Sequence, residues 1–162
     1  MNNLLDFVKE NYRYENGNFY RLKSSGGEKV GNLVGWTTVC NGKLYKKMNL
    51  NRKTYYQHQL IYLYHHGYIP KYIDHIDRNS LNNNVENLRE STQSQNCANK
   101  HKNTNNTSGF KGVTFNKNER KWQAQITVNY KFIKLGCYKN IEDAAKQYEL
   151  ASKKYFKEFA CI

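Results

Sequence analysis

The 162 residues predict an α+β chain built as two modules, and three observations carry that reading. Short strand-like runs separated by Asn-Gly turns fill the first third. A dense segment from Tyr72 to Asn99 then sets acidic, imidazole and amide side chains into a strand–loop–strand–helix pattern. From Gly109 onward, three alternating runs lead into one long amphipathic stretch, the pattern of a three-stranded antiparallel sheet packed on one helix.

Asn3 to Val8 is expected to form one or two helical turns. Tyr12 to Leu22 contains Asn16-Gly17, and Val34 to Tyr45 contains Asn41-Gly42; Asn-Gly supplies the positive φ angles of a two-residue hairpin turn. Tyr55 to His66 carries Leu60, Ile61, Leu63 and Tyr64 at helical spacing, with Gly67 placed as a C-cap and Pro70 just beyond. Tyr72–Asp77 and Asn87–Glu90 are expected as two short strands joined by an Asn loop. Thr92 and Gln95 have capping-box spacing, which starts a helix running from Gln93 to about Asn99. Residues 100–108, K-H-K-N-T-N-N-T-S, hold no apolar side chain and read as a basic linker, either a plain tether or one that follows phosphates. The first module is therefore expected at residues 1–99 with its core motif at 72–99, and the second at 109–162.

In the second module the expected strands are Gly112–Phe115, Lys121–Val128 and Lys131–Tyr138, with turns at Asn118-Glu119 and Asn129-Tyr130. Ile141–Phe156 reads as a helix, with Asn140 as N-cap, Glu142 and Asp143 favourable in its first turn, and a stripe of Ile141, Ala145, Tyr148, Ala151 or Ser152, and Tyr155. Alternation sends Trp122, Ala124 and Ile126 toward that helix and Gln123, Gln125 and Thr127 to the other face. Lys111, Thr114, Asn116 and Lys134 are expected to join them there. Taken alone, that polar face reads better as a solvated surface than as a binding surface.

Lys and Arg number 26 against 13 Asp and Glu, a formal charge of +13. Such a surplus favours a polyanionic partner through counterion release. No apolar run is long enough to span a bilayer. The start lacks a basic n-region and a small-residue cleavage site, so no signal peptide and no membrane partner are expected. Cys40, Cys97, Cys137 and Cys161 form no C-x-x-C pair, so zinc is not expected and the thiols should be reduced.

The segment from Tyr72 to Asn99 holds the parts for phosphodiester hydrolysis. Asp74 offers a charged oxygen and Asn96 a neutral amide oxygen, a donor set suited to Mg2+ or Mn2+, which keep several waters. His75, with an ordinary pKa near 6.5, is the candidate general base. Neighbours on a straight strand point to opposite faces, so Asp74 and His75 serve one site only if the backbone bends there.

This segment closely resembles the active-site motif of HNH endonucleases, in the His-Asn-Asn version of phage and intron-encoded homing enzymes. The resemblance implies the ββα-metal motif, with Asp74 and Asn96 binding the cation, His75 as general base, and Asn87 fixing the loop that holds the base. Asp77, Asn79, Asn82, Asn83 and Leu88-Arg89 match a frequent form of the motif. His58, in H-Q-L-I, matches an upstream histidine expected to be structural. Asn96 stands where other branches carry His.

A second resemblance covers S-G-F-K-G-V-T-F, W-Q-A-Q-I, L-G-C-Y, I-E-D-A-A and Y-E-L-A, which look like the Apetala-type, or ethylene-response-factor-type, DNA-binding domain. It implies a sheet face in the major groove, carried by Lys111, Thr114, Asn116, Gln125, Thr127 and Lys134. The plant domains hold arginines and a tryptophan at such places, so the docking mode carries over and the base preference does not. The expectation is a phage- or intron-encoded homing or nicking endonuclease using a single divalent cation, acting as a monomer on double-stranded DNA in a bacterial cytoplasm. The alternatives are a non-catalytic, sequence-specific DNA-binding regulator and an RNA-binding module; for the last, the exposed aromatic platform is missing.

Overall fold

The computed structural model describes residues 4–162, so Asn3 of the expected opening helix lies outside the described residues. The fold is mixed α and β, with several small antiparallel sheets and, among the described residues, four α-helices. It divides into two compact units, Met1–Glu90 and Ser91–Ile162.

The first unit opens with α1 (Leu4–Asn11), then the hairpin of β1 (Tyr12–Glu15) and β2 (Asn18–Arg21), which turns at Asn16-Gly17 with φ of 48° and 74°. An antiparallel sheet follows from β3 (Trp36–Cys40), β4 (Lys43–Leu50) and β5 (Lys53–Tyr56). Helix α2 (Gln57–His66) ends at Gly67, whose N–H donates to the Leu63 carbonyl at 2.9 Å. The expected helix start at Tyr55 is thereby corrected. Tyr55 and Tyr56 pair with Met48 and Lys47 as the end of β5, and the Tyr56 N–H donates to Gln59 Oε1 at 3.3 Å. The strand was obscured because its turn, Asn51-Arg52, reaches positive φ at both residues without a glycine. Next come β6 (Ile73–His75), a 3₁₀ turn at Val85–Asn87 and β7 (Leu88–Glu90). Val8, Phe19, Met48, Leu60 and Ile61 are fully buried and fuse these pieces into one core, with Leu88 bringing β7 onto it.

The second unit begins with α3 (Gln93–Ala98). Its capping box forms as expected: Thr92 Oγ1 accepts from the Gln95 N–H at 3.2 Å, and Gln95 Oε1 accepts from the Thr92 N–H at 2.8 Å. Strands β8 (Val113–Asn116), β9 (Lys121–Val128) and β10 (Lys131–Tyr138) form an antiparallel sheet in the order β10-β9-β8. Helix α4 (Ile141–Phe156) covers one face of it, over Val113, Ala124 and Ile126. The last two strands and the helix begin and end where the sequence expects, and the first strand is one residue later. Two stripe positions differ: Ala144 rather than Ala145 is fully buried, and Phe156 is buried where Tyr155 is exposed. Tyr148, Ser152 and Phe156 form one i, i+4 ridge, and the residue without a hydroxyl takes the buried place.

The segment expected as a linker is folded. The Lys111 ammonium donates to the carbonyls of Ala98 at 2.5 Å, Lys100 at 2.6 Å and Cys161 at 3.2 Å. Asn106 bridges Asn103, Gly109 and Phe110. With Ala98 in the second core, α3 belongs by packing to this unit. Gly112 sits at φ 68°, and its carbonyl accepts from the Gln125 N–H at 2.8 Å. A Cβ there would collide with the Tyr148 ring.

Candidate active site and nucleic-acid face

The β6–β7 hairpin pairs Asp74 with Arg89 and His75 with Leu88. Asp74 is buried at 4 % exposure and His75 at 8 %. Arg89 grips the Asp74 carboxylate from Nε at 2.9 Å and Nη2 at 2.8 Å, as cross-strand neighbours on one face can. His75 is the next residue along β6. Its Nε2 stands 3.0 Å from Asn83 Oδ1, and its ring meets the edge of His58 with centroids 5.2 Å apart.

The connecting loop is organised by Asn87 and Asp77. Asn87 Nδ2 donates to Asp77 Oδ1 at 2.9 Å and to the Asn82 carbonyl at 2.8 Å, while Asn87 Oδ1 accepts from the Asp77 N–H at 2.9 Å. Asp77 also accepts from Asn82 Nδ2 at 2.7 Å and the Asn79 N–H at 2.8 Å. The chain leaves β6 in a turn, Arg78 N–H to His75 carbonyl at 2.9 Å, with Arg78 at φ 66°. The first hairpin braces the loop from outside. Tyr14 Oη accepts from the Val85 N–H at 3.0 Å, and Gly17 lies so near that a Cβ would stand 2.9 Å from the Asn84 nitrogen.

Burial lowers the His75 pKa against smaller raising effects of Asn83, Asp77 and Asp74, so the ring is neutral at pH 7. Burial beside His75 drives His58 down to about 3. Burial opposes the Asp77 carboxylate, but hydrogen bonds from Asn82, Asn79 and Asn87 outweigh it and hold its pKa below the ordinary value.

Asn96 lies in the first turn of α3, half-buried, its N–H donating to the Thr92 carbonyl at 2.9 Å. It belongs to the second unit, whereas Asp74 and His75 belong to the first. Among the described residues no three His, Cys, Asp or Glu side chains gather for a metal ion. Taken singly, the buried Asp74 carboxylate and the Asn96 amide oxygen are hard donors, of the kind taken by a cation that keeps most of its waters.

Residues 55–98 match the family model described as HNH endonuclease. That stretch carries an HNH endonuclease domain. Protein 3.8 of Escherichia phage T7 is 42 % identical over 67 residues, covering 40 % of this chain and 55 % of its own length. A protein of Acanthamoeba polyphaga mimivirus described as an uncharacterized HNH endonuclease is 38 % identical over 106 residues, covering 64 % of this chain and 54 % of its own. The chain thus spans about half the length of these relatives. No solved structure matches it. The matched stretch runs in sequence from β5 through α3.

Outside the HNH domain, the structure sorts the expected DNA-facing residues. Thr114 pairs with Gln123 and Gln125 with Lys134, so these four share the sheet face opposite α4, with Thr127 one step further along β9. Gln123 Nε2 donates to Gln125 Oε1 at 2.8 Å. Asn116 forms the β8–β9 turn, accepting from the Asn118 and Glu119 N–H groups. Glu119 takes Lys134 at 3.3 Å and Asn116 Nδ2 at 3.3 Å. Lys111 is engaged elsewhere, on the three carbonyls described above. Sequence reasoning missed the Arg89–Asp74 pair, the contact of Asn83 with His75 and the edge contact of His58 with His75. Only the H-Q-L-I match hinted at His58, and a run of three asparagines gave no sign of which one turns inward.

Proposed function

We propose that the chain is a DNA endonuclease that hydrolyses phosphodiester bonds with a single divalent cation, Mg2+ or Mn2+, as a phage- or intron-encoded homing or nicking enzyme. The observation that carries this is a buried His75 next to a buried Asp74 in sequence, on a hairpin whose loop is clamped by Asn87, inside a stretch matching the HNH family. His75 takes the proton from an attacking water. Asn87 acts on that chemistry only through the loop it holds. Asp74 and Asn96 would hold the cation, which would supply positive charge to the phosphate and the leaving oxygen.

Residues 1–99 serve in this reading as the nuclease module and residues 109–162 as a DNA-docking module. The Apetala-type likeness of the latter rests on its sequence motifs and the three-strand, one-helix arrangement. Thr114, Asn116, Gln123, Gln125, Thr127 and Lys134 face the duplex, where amides suit adenine and lysine suits guanine or phosphate. One base and one cation per protomer suit a monomer that cuts one strand at a time in the host cytoplasm.

The test is cleavage of a supercoiled plasmid library with sequenced ends. Asp74→Ala and His75→Ala should lose about 10²–10⁴-fold in rate, and excess cation should partly restore Asn96→Ala. Open circles should accumulate before linear product. Full cleavage in EDTA would sink the reading.

A further inference from the structure

We propose that Phe132 reads a thymine by its C5-methyl group, as the apolar member of the sheet face opposite α4. The inference rests on the reading of that face as the one set against duplex DNA. Phe132 is a large apolar side chain left 59 % exposed. Across the β9–β10 pair it stands opposite Thr127, and two residues further along β10 Lys134 stands opposite Gln125. Ile133, between them, packs against the second core. Alternation therefore leaves Phe132, Lys134, Gln125 and Thr127 together on the outer face. The register thus adds one aromatic ring to the amides, hydroxyls and lysine of that face.

Charge selects the occupant. Between Val113 and Tyr138 the sheet and its turns carry Lys117, Arg120, Lys121, Lys131 and Lys134 against a single acid, Glu119. A sheet so charged attracts a polyphosphate chain, and a two-stranded β-ribbon fits the width of a major groove. A phenyl ring has no hydrogen-bond donor or acceptor to offer there. Set against N7, O6 or N4 of a base, it would strip water from a polar group and return nothing. In the four ordinary base pairs the thymine methyl is the major-groove group that gains from an apolar neighbour. A packing role for the ring, as cross-strand partner of Thr127, would act on stability and not on base preference.

The full chain is used to select duplexes from a random library in EDTA, so that no strand is cut. The enriched duplex is then remade with each thymine in turn replaced by uracil, which lacks only that methyl, and affinities are read by fluorescence anisotropy. At one position uracil should weaken wild-type binding about fourfold, the worth of one buried methyl-sized group. Phe132→Ser should bind the thymine and uracil duplexes alike. Phe132→Leu, which keeps an apolar side chain, should retain part of the difference. An enriched site without thymine, or a wild-type protein indifferent to every uracil, overturns the proposal without any variant and leaves the duplex-facing sheet standing. So does a folded Phe132→Ser protein that discriminates as the wild type does. Failure to enrich any duplex sequence removes the underlying reading of the sheet face, and the proposal with it.

Discussion

His58 shows what a single buried side chain costs this protein. Its folded pKa of about 3 lies far below the ordinary 6.5, so the unfolded chain binds its proton first as pH falls. Its contribution to stability is complete above about pH 6.5 and drains away toward pH 3, on the order of 4 kcal/mol at the lower end. The lowered Asp77 pKa acts in the same direction further down, because its contribution exists only while the carboxylate is ionised. Urea melts between pH 7.5 and 4.5 should therefore show the first unit weakening with acid, and His58→Gln should flatten that dependence. Arg89→Ala leaves the buried Asp74 charge without its guanidinium and should cost roughly 3–5 kcal/mol in the same assay. Removing both charges as Asp74→Asn with Arg89→Met should recover most of it. At this scale the sequence showed which residue types could do chemistry. It did not show which asparagine faces the imidazole and which clamps the loop, since that depends on how residues 76–87 fold back on themselves.

Elements with strong local signals were legible. The strands Lys121–Val128 and Lys131–Tyr138 and the helix Ile141–Phe156 follow from alternation and from an i, i+4 ridge, both of which act over neighbouring residues. Strand β5 was not legible, because a four-residue edge with a glycine-free turn leaves no local mark. The allegiance of α3 was not legible either. Its capping box fixes where it starts, but the unit it joins is decided by Ala98 packing among residues some fifteen to sixty positions away. Gly112 makes the element scale testable. Its positive φ and the Tyr148 ring leave no place for a methyl group, so Gly112→Ala should destabilise the second unit by roughly 3 kcal/mol, read by thermal melting.

At the scale of the whole molecule, the division at Glu90 and Ser91 sets where the chain can be cut. Residues 91–162 expressed alone should fold, bind duplex DNA and cleave nothing, with a log–log salt slope of about −0.9 per phosphate contact. A fragment starting at Thr104 should be less stable by circular dichroism, since it lacks Ala98 and two of the three carbonyls that hold Lys111. Among the described residues no helix is long and apolar enough to cross a membrane. The hairpin tip pressed on the asparagine loop has a consequence for inheritance. The part of this protein that carries a recognisable family signature begins at residue 55, yet the loop inside it is moulded by residues 14 and 17. A graft of residues 55–98 onto a foreign scaffold would transplant the chemistry without its mould. Exchange of such segments between related proteins should succeed only when the hairpin travels too, and in diverging descendants Gly17 and the Asn83–Asn84 pair should change together or not at all.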